Sequence, residues 1–183
     1  MKKSQTAILF AVTAAFGFSI QDAAVKALTL NASIWQLMLL RSCIVVLVLF
    51  LWVCLSGRLA DVKPNTWLWP IIRAICMSFA YTFFYASLPF VALSEASSCF
   101  FMAPIFVCIF SSIFLGERIK SWRISAVIIG FIGAIMIVQP GATSFKPVLM
   151  LPILAGAAYA LGVTITRGFC KNEPSFSLTI VHN

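Results

Sequence analysis

SIWQLMLLRSCIVVLVLFLWVCL, residues Ser33–Leu55, decides the fold. Arg41 is the one charged residue in it, and neither Gly nor Pro interrupts it. A helix that crosses hydrocarbon needs about 20 apolar residues to span roughly 30 Å. A transmembrane barrel strand is shorter and alternates in hydropathy. This run is long and continuous, so it reads as a membrane helix.

Working outward, five comparable blocks flank it: Ala7–Leu28, Trp67–Leu88, Ser94–Leu115, Trp122–Val138 and Val148–Phe169. The separators are short and rich in breakers, among them Ser56-Gly57-Arg58, Pro64-Asn65, Pro89, Gly116-Glu117-Arg118 and Pro140-Gly141. Composition agrees. Of 183 residues, 62% are hydrophobic and 10% charged, with 17 Phe and 5 Trp. Mean hydropathy is +1.04. A soluble domain is nearer roughly 45–50% apolar and about a quarter charged. A water-soluble fold this apolar would expose large greasy patches, and disordered chains are poor in Phe and β-branched residues. The expected class is an all-α integral membrane protein, a multi-pass bundle of about six transmembrane helices in one compact domain.

Charge placement sets the expected orientation. Lys2, Lys3, Arg58, Lys63, Arg118, Lys120, Arg123, Arg167 and Lys171 fall on one side of the predicted bundle, and only Lys146 on the other. The positive-inside rule puts the N-terminus in the cytoplasm. The net charge of +8 is thus an orientation signal, and no basic face for nucleic acid forms. Met1-Lys2-Lys3 before an apolar run resembles a signal peptide, but the run continues to Leu28, too long for a cleaved segment. The six cysteines form no Cys-x-x-Cys pair, and the one His is His182, so no metal site or cofactor is expected. Nor is an enzyme, since acid–base chemistry usually recruits His or paired carboxylates. Nothing reads as a selectivity filter.

The ionisable residues within the blocks are the candidates for function, because each costs roughly 2.5–3.5 kcal/mol at a helix centre. Asp22 and Lys26 are one turn apart on the first helix and share a face. Arg41 lies about two turns into the second helix. Glu95 opens the fourth. These four are expected to line one outward-facing cavity. Arg73, beside Trp69 and Pro70, sits near the opposite face. Plainer readings stand beside these: Lys26 and Glu95 snorkel to the interface, Arg73 anchors there, and Asp22 and Arg41 form a structural salt bridge. Tyr81, Phe84, Tyr85, Phe100 and Phe101 are placed to stack on a flat substrate or to pack the core. Pro104, inside the fourth helix, is expected to kink it. Gly130-x-x-Gly133 in the fifth helix, and Gly156 to Gly162 in the sixth, are small-residue faces for close helix contact.

SLPFVALSEASSCFFMAPIFVCIFSSIFLGERI, Ser87–Ile119, resembles the third-to-fifth-helix region of EamA-type transporters of the drug/metabolite transporter superfamily. In that family a proline-containing helix runs into a Leu-Gly-Glu loop, matched by Leu115, Gly116, Glu117 and Arg118. ISAVIIGFIGAIMIVQPG, Ile124–Gly141, is similar to the family's glycine-rich fifth helix. Gln21-Asp22 through Lys26, with Leu40-Arg41, is similar to positions in members that take up S-adenosylmethionine or riboflavin. The resemblance implies ten helices in two five-helix repeats of opposite orientation. Residues 4–140 would be one repeat, and 147–183 the sixth helix and the start of a second.

Repeat symmetry leads us to expect an N-terminal fragment of a ten-helix carrier. The other account is a small protein that pairs, as a homodimer. The expected function is secondary active transport of a small metabolite, driven by an ion or proton gradient because no P-loop occurs. In that reading Asp22 or Glu95 carries a coupling proton, and Arg41 and Arg73 hold anionic substrate groups. The competing reading is a membrane scaffold or assembly partner whose buried charges only pair helices.

Overall fold

In lipid the backbone must satisfy its own hydrogen bonds, and runs this apolar do so as helices. A computed structural model describes residues 2–29, 33–56, 63–117, 121–138 and 146–182, and among these there is no strand. The elements are α1 Lys2–Leu28, α2 Ile34–Ser56, α3 Leu68–Ser87, α4 Leu93–Phe100, α5 Ala103–Leu115, α6 Ser121–Val138, α7 Met150–Phe169 and α8 Ser175–His182. A 3₁₀ turn, Pro147–Leu149, leads into α7. Among the described residues, five segments are long and apolar enough to cross a membrane: Ile8–Leu28, Trp35–Leu55, Leu68–Ser87, Leu93–Leu115 and Pro147–Phe169. The 18-residue α6 occupies the fifth expected block.

Two features differ from expectation. The fourth block is two helices rather than one kinked helix. Pro104 has no N–H to give the Phe100 carbonyl, and its ring crowds that oxygen. The chain therefore turns at Phe101 and Met102, where the Met102 N–H donates to Cys99 O at 3.2 Å and the Ile105 N–H to Met102 O at 2.9 Å. Pro104 then sits in the first turn of α5, where a missing N–H costs nothing. The second difference is α8, a short helix after Pro174 that the hydropathy blocks did not include.

The interior is built around α3 and α7, with α4 and α5 packed on α7 and α8 packed on α3. Small residues let α7 into this position: Ala155, Gly156, Ala160 and Gly162 are all buried. A Cβ on Gly156 would lie 3.1 Å from the Phe100 carbonyl and 3.4 Å from Ala103 N, so α7 presses directly on the α4–α5 break. The Gly130 and Gly133 pair behaves otherwise, with no described neighbour within 4 Å of either added Cβ. Their close helix contact is not made among the described residues. Helices α1 and α2 turn most of their surface outward, with Phe10 71% and Leu55 87% exposed, as lipid-facing helices do. Stacked rings tie the periphery in: Trp52 on Phe176 at 4.5 Å and Trp69 on Phe169 at 3.9 Å.

Candidate functional site

A cavity of about 310 Å³ opens between α1, α3, α4 and α7. Helix α1 gives it Ala15, Phe18, Ser19 and Asp22, which at spacings of three and four form one face. Helix α3 adds Ala80, Tyr81, Phe84 and Tyr85 by the same periodicity. The α4 end contributes Ser97 and Phe100, the break contributes Phe101, and α7 contributes Tyr159. The rings contact one another across elements, Phe84 with Phe100 at 5.4 Å and Phe100 with Tyr159 at 5.4 Å. Pro104 does not line the space. It ends α4 and so turns Phe100 and Phe101 toward it.

Asp22 is half-buried and faces this cavity, and among the described residues its carboxylate has no hydrogen-bond or ion-pair partner. The neighbouring Gln21 Nε2 donates to the Tyr85 hydroxyl at 2.7 Å, which fixes that buried ring. Arg41, from α2, lies over the opposite reach of the cluster with its Cζ 4.0 Å from the Tyr81 ring centre. That is a cation–π distance. The Arg41 Nε is buried without a hydrogen-bond partner among the described residues. Tyr81 also stacks at 5.4 Å on His182 of α8. Asp22 and Arg41 do not come within ion-pair distance: Arg41 stacks on the Tyr81 ring, where its positive charge still acts on the nearby Asp22.

The other candidates are placed elsewhere. Lys26 reaches away from Asp22 and donates to the carbonyls of Leu88 and, at 2.9 Å, Val91, at the corner between α3 and α4. Glu95 accepts from the Ala92 N–H at 3.1 Å, closing the first turn of α4, and pairs with Lys146 at 3.6 Å. Arg73 donates to Thr166 Oγ1 and to the Leu178 carbonyl, both at 2.9 Å, joining α3 to α7 and α8. Gly116 ends α5 with φ +63°, the left-handed conformation glycine adopts freely. Glu117 accepts from Arg167 Nη2 at 3.2 Å on both oxygens. Arg118 lies outside the described residues.

So Asp22, Tyr81 and Tyr85 come together with Arg41 beside them, while Lys26, Arg73, Glu95 and Glu117 join elements. Sequence reasoning missed Ser19, Ser97 and Tyr159. Ser19 was detectable, one turn before Asp22 on the same face. Tyr159 carried no signal beyond a polar tip within an apolar, small-residue helix.

A sequence profile of the EamA-like transporter family matches residues 5–139. Over 161 residues the chain is 28% identical to the pseudopaline exporter CntI of Pseudomonas aeruginosa, covering 88% of this chain and 56% of that protein. Over 108 residues it is 28% identical to an S-adenosylmethionine uptake transporter of Rickettsia bellii, covering 59% and 37%. A riboflavin transporter of Brucella anthropi is 34% identical over 89 residues, 49% of this chain and 29% of that protein. The chain thus spans about half the length, or less, of these curated relatives. No solved structure matches. The profile covers most of a chain whose described residues are mostly helical, hold no strand and are apolar enough to cross a membrane repeatedly, and its α4–α5 break runs into the Leu-Gly-Glu turn that the resemblance rested on: this chain belongs to the EamA-like transporter family.

Proposed function

We propose that the chain forms the first repeat, residues 4–140, and the opening of the second, residues 147–183, of a secondary active transporter that carries a small metabolite through the α1–α3–α4–α7 cavity. The bacterial inner membrane is its site, with the N-terminus cytoplasmic, as the Lys and Arg distribution favours. The relatives support the class: they are named for moving pseudopaline, S-adenosylmethionine and riboflavin, all small organic molecules.

One observation carries the reading. A carboxylate placed at membrane depth is costly, and Asp22 faces a cavity with no partner among the described residues. A charge kept for packing would be paired, as Lys26 and Arg73 are with backbone and side-chain acceptors. An unpaired one is available to a passing cation or proton. The scaffold reading gains support from Lys26, Arg73 and Glu95 but leaves Asp22 without a role. In the inverted-repeat design substrate binds beside a broken helix, and the cavity's lying against the α4–α5 break supports this reading.

The test uses the intact protein in proteoliposomes with an imposed proton or sodium gradient. Uptake should saturate with substrate and collapse with the gradient, and Asp22→Asn should abolish it at normal membrane expression. Uptake untouched by Asp22→Asn would return the residue to packing, and with it the scaffold reading.

A further inference from the structure

Resting on the transporter reading, we propose that this wall of the cavity receives a planar, positively charged group of the transported molecule, seated among the Tyr81, Phe84, Phe100 and Tyr159 rings and facing the Asp22 carboxylate. Charge is the first argument. Asp22 is the one Asp, Glu, Lys or Arg side chain that lines the cavity among the described residues. Of the two nearby bases, Lys26 is held by the carbonyls of Leu88 and Val91, and Arg41 sits on the Tyr81 ring without lining the space. An anionic group entering here would meet a carboxylate on the wall, with Arg41 outside the lining.

The walls give the second argument. Five aromatic rings from α3, α4 and α7, with Phe18 of α1 and Phe101 of the break, line the space, and ring faces carry negative electrostatic potential that attracts cations and stacks flat groups. One hydroxyl on the wall leans the same way. The Ser19 hydroxyl gives its proton to the Ala15 carbonyl at 3.0 Å and so offers only lone pairs to an occupant. Space is the third. A volume of about 310 Å³ holds a fused two-ring system and excludes nothing of that size.

The experiment measures binding to the intact protein in detergent, by equilibrium dialysis at pH 8, of three probes of one shape. N-methylquinolinium is a fixed planar cation, quinoline is its neutral counterpart, and quinoline-2-carboxylate is a planar anion. The expected order is cation over neutral by roughly tenfold, with the anion weakest. Asp22→Asn should lower cation binding to the level of quinoline while leaving quinoline unchanged. Asp22→Glu, which keeps the charge, should retain the preference and so separates charge from folding. Tyr159→Leu should weaken cation and quinoline together.

Equal binding of cation and quinoline, or tightest binding of the anion, overturns the proposal. If uptake in proteoliposomes still depends on Asp22 in that event, the transporter reading stands and only the substrate class falls. If no probe binds and uptake ignores Asp22, both fall.

Discussion

Lys26 shows how one intramembrane charge is made tolerable. Its ammonium donates to the Leu88 and Val91 carbonyls, on residues whose side chains are almost fully buried. Carbonyls at a helix C-terminus lack intrahelical donors and carry partial negative charge, so a cation there is favoured. Lys26→Met keeps the length of the chain but leaves both acceptors short of a donor, which costs roughly 1–3 kcal/mol. The intact protein should therefore unfold at a clearly lower temperature in detergent. Asp22→Asn should move that temperature little, because no contact is lost. If the two variants shift melting alike, Asp22 has a structural partner. The sequence could place Asp22 and Lys26 on one face by their spacing. It could not say that one turns into a cavity and the other to a corner 62 residues away, because carbonyl acceptors leave no trace in residue types.

At the scale of elements, the α4–α5 break and α7 are one joint. Pro104 announced a disturbance in the fourth block by its chemistry alone. What it did not announce is that Gly156, on a distant helix, fits against the freed Phe100 carbonyl. That contact is long-range, and the small-residue pattern marked α6 and α7 equally although only α7 uses it among the described residues. Two of the α7 glycines, Gly156 and Gly162, differ in a way that distances alone would misorder. A methyl at Gly162 lies nominally closer to its neighbour, 2.8 Å from Met77 Cε, but that is the far end of a flexible side chain. A methyl at Gly156 meets backbone at 3.1 Å, which cannot move without displacing the break. Gly156→Ala should thus lower thermal stability and probe binding more than Gly162→Ala, with overpacking costing typically about 1–3 kcal/mol. A larger loss in Gly162→Ala would place the rigid contact at Met77 instead.

Across the whole molecule, hydropathy was enough to show a helical membrane bundle, because a bilayer leaves the chain few alternatives. It was blind to how the bundle is fastened at its ends, since those contacts are made by short polar loops with no periodicity. The clearest is a clasp at the end of the bundle opposite the Lys26 corner. Glu173, in the α7–α8 loop, accepts from the Asn65 N–H at 2.6 Å and from the Thr66 N–H and hydroxyl at 2.9 Å each. Asn65 Nδ2 returns a bond to the Asn172 carbonyl at 2.8 Å. Desolvation, the largest single influence, pushes the Glu173 carboxyl up, but the three donors together outweigh it and hold it below its ordinary value of 4.5. A carboxyl whose folded pKa lies below its unfolded one contributes stability that is fully present above the unfolded value. That contribution is lost as pH falls through the folded value. The wild-type protein should therefore keep this increment from neutral pH down to about pH 4.5 and lose it below. Glu173→Gln should be less stable than wild type at pH 7, and the gap should close as the pH drops below about 4. Melting curves of both proteins in one detergent across that range decide it. A gap that stays constant to the lowest pH would mean that the clasp holds by shape and hydrogen-bond count, with the ionised form adding nothing.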